Sequence, residues 1–357
     1  MYPTSAYFAK LRADITATKP GDRILLATMN FEPEQTSFPL LIAELQDAAT
    51  RGVQVSLGVD AHDFMLQDTR LPGPLLWRRQ LPERAPGRIG KKLRALDELQ
   101  AAGVTVGITN QPHRAFTNPF AGRSHIKVSI INDVIYTGGC NLKDEINIDL
   151  MARWEDDVTA DWLYTRMHKM ISTQYVQAAL GKKDIVRRVD ERAELLIDVG
   201  VPHQSIIYER ALQAIEQAED WLIITCQYFP NSTTALALKR AFARGVRVYP
   251  IFNHHSQHLR PHSYLQHGVT ARERLRMPAS FFEGELPRTA NPLHAKLIAT
   301  EKEALLGSHN YVPAGVNFGT AEIALHVRDP KFAVASAQSL LAQTPWQSAA
   351  RFAYLRK

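Results

Sequence analysis

The feature that most constrains this chain is a short motif that occurs twice with identical internal spacing. The first copy is His-Ile-Lys at 125–127 followed by Gly-Gly-Cys-Asn at 138–141, and the second is His-Ala-Lys at 294–296 followed by Gly-Ser-His-Asn at 307–310. Matched positions are 169 residues apart throughout, and His precedes Asn by 16 residues in both copies. Such a repeat predicts two similarly folded halves that arose by duplication.

A second, larger repeat lies upstream of each motif. Residues 23–59 contain a short apolar run, an amphipathic stretch closed by Gly52, and an alternating run, and residues 221–252 repeat the same order. A helical pattern precedes each unit, at 4–17 and at 205–219. Strand, helix and strand in this order indicate βαβ units, so we expect an α/β protein made of two similar α-β-α sandwich domains.

The division between the halves is predicted from charge. Residues 181–194 are dense in charged side chains and poor in large apolar ones, which places the boundary near residue 190. We therefore expect a first domain at 1–190 and a second at 191–357. Residues 61–100 have no counterpart in the second half, which indicates an insertion in the first domain.

Strand geometry explains the motif. Side chains alternate along a strand, so the His and Lys of each copy point to the same face. The residues between Lys and Asn read as a hairpin, and the glycines after it let the backbone return close to the His and Lys. We expect both copies to line one cavity, with these side chains: His125, Lys127, Asn141, His294, Lys296 and Asn310.

This set of side chains suits phosphate chemistry. Lysine supplies a compact charge for phosphate oxygens, asparagine supplies neutral donors, and one histidine can attack phosphorus while the other protonates the leaving oxygen. Gly139 and Ser308 are predicted to contact the substrate beside the lysines. A carboxylate should orient each ring. The candidates are Asp156 for the first half and Glu322, expected to face His294, for the second.

Two H-x-K motifs, each followed by G-G/S-x-N, resemble the phospholipase D superfamily. The single chain with both motifs, the YTGGCNL segment and the CQYF-P segment look most like bacterial cardiolipin synthases and related phosphatidyltransferases. The resemblance implies one site at a pseudo-twofold interface, a phosphohistidine on His125, His294 as general acid and base, and no metal or other cofactor. Asn132 and Glu301 stand where the family motif usually has Asp. Both fall at the predicted hairpin turns, so we expect them to support structure rather than chemistry.

The resemblance implies a phospholipid substrate and an alcohol acceptor, but rival functions remain open. A hydrolytic phospholipase D differs only in admitting water, and a non-catalytic relative would follow from loss of the site. The excess of 42 Lys and Arg over 36 Asp and Glu permits a nuclease or nucleic-acid phosphodiesterase of the same superfamily. The absence of a long basic stripe interleaved with aromatic residues disfavours nucleic acid as the partner.

Location and partners are predicted from the remaining segments. The N-terminus lacks the apolar core of a signal peptide and no run approaches a membrane span, so we expect a cytoplasmic protein, peripheral on the inner face of the membrane. Residues 71–94 combine LPGPLLW with a basic run that contains Lys91 and Lys92, which favours contact with an anionic membrane as much as an ordinary loop and amphipathic helix. The histidine-rich run at 254–267 has no Cys or acid to complete a metal site.

Overall fold

The computed structural model describes residues 1–35, 38–65, 87–110, 122–143, 146–254, 260–346, 352 and 355, with only the backbone described at 65 and 260–266. Two mixed seven-stranded sheets are present in this part of the chain. The strands of the first sheet are β1 (Tyr2–Pro3), β2 (Arg23–Thr28), β3 (Gln54–Asp60), β4 (Thr105–Thr109), β5 (Val128–Ile131), β6 (Val134–Gly138) and β7 (Leu150–Glu155). Its helices are α1 (Thr4–Thr16), α2 (Phe38–Thr50), α3 (His62–Met65), α4 (Gly87–Ala101), α5 (Asp157–Thr173) and α6 (Val176–Leu180).

The second sheet is built in the same way. Its strands are β8 (Ile185–Arg188), β9 (Ala193–Val199), β10 (Trp221–Thr225), β11 (Arg247–Ile251), β12 (Leu297–Thr300), β13 (Ala304–Gly307) and β14 (Ala321–Val327). The helices are α7 (Ile206–Gln217), α8 (Ser232–Ala243), α9 (Arg260–Arg274), α10 (Pro313–Phe318) and α11 (Pro330–Leu341), with a 3-10 helix at Ala279–Gly284.

The strand orders confirm the duplication. The first sheet runs β1-β7-β6-β5-β2-β3-β4, and the second runs β8-β9-β14-β13-β12-β10-β11. Six strands therefore correspond in the same order, from β1 and β9 to β3 and β11. A helix joins the parallel strands β2 and β3, and another joins β10 and β11. Each of these helices is followed by a glycine with a positive φ, 90° at Gly52 and 95° at Gly245, and glycine adopts this left-handed backbone conformation without strain.

The segment without a counterpart in the second half extends past residue 100, its expected end, and adds one strand to the first sheet. Helix α4 leads into β4, which pairs in parallel with β3 and extends the sheet beyond the duplicated part. Residues 66–86 of the insertion lie outside the described residues, and with them most of the predicted membrane segment. Lys92 does not face solvent as a head-group contact would require. Its ammonium is fully buried 2.7 Å from both Asp63 and Glu32, because α4 packs that face against the body of the domain.

The two halves share buried cores, which fixes how they meet. One core joins residues of β2, β5 and α5 with residues of β9 and β14, and another joins the start of β7 with β12, β13 and α11. Separate outer cores lie under α1, α2 and α4 and under α7 and α8. In the described part of the chain, no helix has the length and apolar character needed to cross a membrane.

The buried lysine yields a stability prediction. Replacing Lys92 with Ala removes a fully buried cation from Asp63 and from Glu32, which still pairs with the half-exposed Arg88, so we expect unfolding to become easier by about 3–5 kcal/mol. The neighbouring Lys91→Ala is the matched control, since its ion pair with Glu34 is half exposed and should contribute about 0–1 kcal/mol. Urea unfolding of both variants measures the difference. Equal, small losses would contradict the structural role assigned to Lys92.

Candidate active site

The two motif histidines meet at the junction of the halves. Their ring centroids lie 6.5 Å apart, with the ring planes at 71°. The prediction that both copies of the motif line one cavity is consistent with this distance, which a single phosphoryl group can bridge.

Each histidine is held by a short pairing with the opposite half. Ser124 forms a parallel bridge with Ala321, and the backbone N–H of His125 donates to the carbonyl of Ala321 at 2.8 Å. In the mirrored arrangement, the N–H of His294 donates to the carbonyl of Ile148 at 2.9 Å. The backbone of each histidine is therefore hydrogen-bonded to the opposite half.

The carboxylate partners are also exchanged between the halves. Nδ1 of His125 lies 2.9 and 3.0 Å from the two carboxylate oxygens of Glu322. Nδ1 of His294 lies 2.7 Å from Oδ2 of Asp149. In both rings the carboxylate holds Nδ1, which leaves Nε2 as the nitrogen available for chemistry.

Two sequence expectations about these carboxylates are wrong. Glu322 was expected to face His294 and instead contacts His125, because the pairs cross between the halves. Asp156 is not at the site: it is the N-cap of α5, where its side chain accepts from the N–H of Thr159 at 3.1 Å.

The residue that sequence reasoning missed is Asp149. Strand pairing places Gly138 opposite Met151 and Gly307 opposite Ala324, which makes Asp149 the counterpart of Glu322. A signal was present, because Asp149 stands alone at the start of an apolar run, as Glu322 does. The adjacent acids at 155–157 drew the interpretation away from it.

Gly139 and Ser308 support the two carboxylates of the site. A side-chain carbon at Gly139 would lie 2.0 Å from Oδ1 of Asp149, so only glycine leaves room for that carboxylate. Ser308 is fully buried, and its hydroxyl donates to Glu322 and accepts from the N–H of Ile323. The expectation that these two residues contact substrate is therefore replaced by a role in holding Asp149 and Glu322.

The motif lysines are buried and close to both histidines. Nζ of Lys127 donates to the carbonyl of His125 at 2.9 Å, and Nζ of Lys296 donates to the carbonyl of His294. Burial and the charge of Lys296 lower the pKa of Lys127 to about 7, and burial likewise lowers the pKa of Lys296. A bound anion would stabilise the charged form of both lysines and raise their pKa back towards its usual value, so the two ammonium groups favour binding of an anion.

The two motif asparagines, Asn141 and Asn310, differ in their contacts. Oδ1 of Asn141 accepts from the backbone N–H of Asn30 at 3.3 Å and lies 3.4 Å from the hydroxyl of Thr28. These donors identify the oxygen end of the amide, so the N–H groups of Asn141 point elsewhere. Oδ1 of Asn310 is buried and has no hydrogen-bond partner among the residues that the structure describes.

The two histidine–carboxylate pairs differ in their protonation. Burial lowers the pKa of His125 to about 4 against the opposing effect of Glu322, and the pKa of Glu322 is about 2 because His125 outweighs the effect of burial. Burial raises the pKa of Asp149 to about 6, while burial and both lysines lower the pKa of His294. The Asp149–His294 pair therefore binds a shared proton more readily than the Glu322–His125 pair does.

The residues that replace the usual family Asp both hold hairpin turns. Oδ1 of Asn132 accepts from the N–H of Arg23, at the start of β2, at 3.0 Å. The Glu301 carboxylate accepts from three successive N–H groups at 219–221, where β10 begins. Each turn is thus tied to the beginning of the neighbouring strand, which agrees with the structural role expected of both residues.

No metal centre is found among the residues that the structure describes, where no group of three or more His, Cys, Asp or Glu side chains could hold an ion. Residues 255–259 of the histidine-rich run, and the side chains of 260–266 that follow them, lie outside the described part of the chain. His254 lies 4.0 Å from Glu285, at the edge of ion-pair distance.

Comparisons with known proteins agree with this geometry. The family model described as "Cardiolipin synthase, PLD-like domain" matches residues 11–171 and 211–342, one segment in each half. The chain therefore belongs to this phospholipase D-like family of phosphatidyltransferases and phosphodiesterases, which confirms the resemblance drawn from the H-x-K repeat. A search of curated protein sequences found no significant match.

Solved structures share the fold at low sequence identity. Phosphatidylserine synthase of Haemophilus influenzae Rd KW20 superposes with a TM-score of 0.69 at 12% identity, over 96% of this chain and 86% of that one. Polyphosphate kinase of Porphyromonas gingivalis gives a TM-score of 0.53 at 14% identity, over 96% of this chain and 49% of that one. At these identities the likeness shows the fold alone.

The crossed pairs yield a prediction that separates Asp149 from Asp156. Asp149→Asn removes the carboxylate that orients His294 and should lower turnover of a phosphodiester on the order of 10²–10⁴-fold, as expected for impaired proton transfer. Asp156→Asn is the control and should leave turnover within about twofold, because an Asn still caps α5. Steady-state rates on a soluble phosphodiester with an alkyl leaving group measure both, because an alkoxide needs a proton in order to leave. A larger loss in the Asp156 variant would reverse the assignment.

Proposed function

We propose that this protein transfers a phosphatidyl group from a phospholipid to an alcohol through a phosphohistidine on His125. The observation that carries the proposal is the pair of imidazoles 6.5 Å apart, each held at Nδ1 by a carboxylate of the opposite half. Two buried lysines beside them supply the positive charge that a phosphodiester needs. Membership of a cardiolipin synthase-like family supports phospholipid phosphatidyl transfer at the level of the family.

In the first step, Nε2 of His125 attacks phosphorus and forms a P–N bond. The bond from phosphorus to the leaving alcohol oxygen breaks, and His294 donates its Nε2 proton to that oxygen. Lys127, Lys296, Asn141 and Asn310 hold the non-bridging oxygens as negative charge builds up on them. Glu322 remains ionised and stabilises the positive charge that His125 gains on becoming phosphorylated.

In the second step, His294 acts in reverse. Its Nε2 takes the proton of the incoming alcohol, the alcohol oxygen attacks phosphorus, and the P–N bond to His125 breaks. This exchange restores both rings to their starting protonation. Splitting one difficult displacement into two also lets the same site use donor and acceptor alcohols in turn.

The division of labour between the histidines is supported by their electrostatics. A nucleophile must be unprotonated, and the low pKa of His125 keeps its ring neutral at any pH well above 4. A general acid must carry a proton, and the Asp149–His294 pair retains one up to about pH 6 because of the raised pKa of Asp149. Anionic substrate extends this range upward by stabilising the protonated pair.

The proposal places the protein at a membrane surface, where its substrate resides. Contact through 71–94 remains part of the proposal, although 71–86 lies outside the described residues. In the described remainder, Lys92 is buried and Lys91 pairs with Glu34, whereas Arg94 is exposed, so Arg94 is the cation of α4 that the proposal assigns to head groups. Transfer to an alcohol acceptor and a location on the inner face of the membrane are also parts of the proposal.

The function is tested by the products formed from phosphatidylglycerol vesicles. With excess deuterated glycerol, or with phosphatidylglycerol itself as acceptor, the phosphoenzyme should yield more alcohol adduct than phosphatidic acid, because the buried site excludes water. Mass spectrometry of the lipids with and without added alcohol measures the ratio, and His125→Ala is the inactive control.

Two outcomes would contradict the proposal. Phosphatidic acid that stays undiminished in excess alcohol would make the protein a hydrolytic phospholipase D. Cleavage of single-stranded DNA without lipid turnover would make it a nuclease.

The pH dependence of kcat/KM follows from the same groups. Activity requires neutral His125 and a protonated Asp149–His294 pair, so kcat/KM should rise through about pH 4 and fall above about pH 6. Glu322→Gln removes the anion that raises the pKa of His125, so the acidic limb should move to lower pH. Assays of a soluble diester from pH 3 to 9 measure both limbs, and the apparent pKa of each limb should be determined to within about half a unit. An acidic limb near 6.5, the ordinary value of histidine, would contradict the assignment.

A further inference from the structure

The two asparagines of the site are held by loops that differ at one residue. In the first half, the loop after β2 reaches the residues after β6. The hydroxyl of Thr28 accepts from the N–H of Leu142 at 3.2 Å and lies 3.4 Å from Oδ1 of Asn141. The N–H of Asn30 donates to the same Oδ1 at 3.3 Å. Thr28 therefore contacts Asn141 through its hydroxyl, whose one proton is shared with the carbonyl of Asn30 at 3.0 Å, and it also binds the N–H of Leu142, the residue after Asn141.

Strand register identifies the counterpart of Thr28 in the second half. Ala27 lies opposite Val128, and Thr225 lies opposite Leu297, the residue that the 169-residue offset matches to Val128. The next residue in each case is therefore equivalent, which pairs Thr28 with Cys226. Both side chains make the same local contact: Thr28 Oγ1 lies 3.0 Å from the carbonyl of Asn30, and Cys226 Sγ lies 2.8 Å from the carbonyl of Tyr228.

The contact with asparagine is present in one half alone. Among the described residues, Oδ1 of Asn310 is buried with no donor, although its counterpart Asn141 has two potential donors. The N–H of Tyr311 is taken by Nδ1 of His309 at 2.8 Å, whereas Leu142 donates to Thr28. Tyr311 also has a positive φ of 52°, so the backbone after Asn310 follows a different path. Cysteine is a weak donor and cannot replace the hydroxyl.

We infer that Thr28 is a positioning residue that fixes the amide of Asn141, and that the half with Cys226 lacks this device. A fixed amide presents its N–H groups to developing charge without reorganisation, which is the condition for strong transition-state stabilisation. Asn310 must instead be oriented by its surroundings at each turnover. The site is therefore asymmetric in how it holds phosphate. This inference rests on the proposed function, since it takes both asparagines as phosphate donors.

The test exchanges the residue of one half for that of the other. Thr28→Cys copies the natural residue at position 226 and is expected to lower kcat/KM for bis(4-nitrophenyl) phosphate about tenfold, mainly through kcat, as loss of an interaction made in the transition state does. Thr28→Ser retains the hydroxyl and should keep activity within about twofold. Thr28→Val, which keeps the shape without the hydroxyl, should match Thr28→Cys.

A double-mutant cycle separates positioning from a general structural effect. In an Asn141→Ala background, Thr28→Cys should cost less than about twofold, because no amide remains to be fixed. Cys226→Ala, alone and with Asn310→Ala, is the matched control and should show no such coupling. Thermal unfolding of each variant checks that all of them fold.

Two different failures are distinguishable. If the loss from Thr28→Cys persists in full without Asn141, or if Thr28→Ser is as impaired as Thr28→Cys, the positioning role is overturned while the proposed function stands. If Asn141→Ala retains full turnover, the phosphate role of Asn141 in the proposed function fails, and the role of Thr28 fails with it.

Discussion

The structure depends on the crossing of the two histidine–carboxylate pairs. Glu322 of the second half holds His125 of the first, and Asp149 of the first half holds His294 of the second. Neither half contains a complete pair, so neither is expected to position its own imidazole. The backbone pairings of Ser124 with Ala321 and of Ile148 with Leu293 put the same constraint on the main chain. Duplication thus produced one composite site rather than two.

Burying the ionisable groups of this site costs free energy, because each loses its contact with water. Among the described residues, the two lysines and two histidines face the carboxylates of Asp149 and Glu322, and burial disfavours the charged form of each basic group. Burial holds the pKa of both lysines below its usual value, and an anionic phosphodiester favours their charged form, so binding of the substrate offsets that cost. Around the site, Gly139 leaves room for Asp149 and Ser308 donates to Glu322, which keeps both carboxylates in place.

Most of the fold, and the meeting of the two motif histidines, could be predicted from the sequence, because those features are local and repeated. Hairpin strands, helix-closing glycines and the same-face placement of His125 and Lys127 all follow from short periodic patterns. The choice of carboxylate could not be predicted in that way. Asp156 and Asp149 both lie near β7, and only strand register shows that one caps a helix while the other meets His294.

Two further features depended on tertiary contacts that no local pattern carries. The helical pattern of α4 predicts a solvated Lys92, whereas Asp63 and Glu32 from distant segments enclose it. Gly139 and Ser308 lie next to the site in the sequence, yet their contacts are with the carboxylates behind it. Domain packing decides which half supplies the carboxylate partner of each histidine, so only the three-dimensional structure shows it.

The most direct test of a single composite site is the stoichiometry of the phosphoenzyme. Phosphatidylglycerol labelled at its phosphodiester can be mixed rapidly with the protein and quenched in base, where a phosphohistidine survives. Peptide mapping then locates the label. One composite site predicts at most one label per chain, on the peptide that contains His125. Labelling that approaches two per chain, divided between the peptides of His125 and His294, would contradict it.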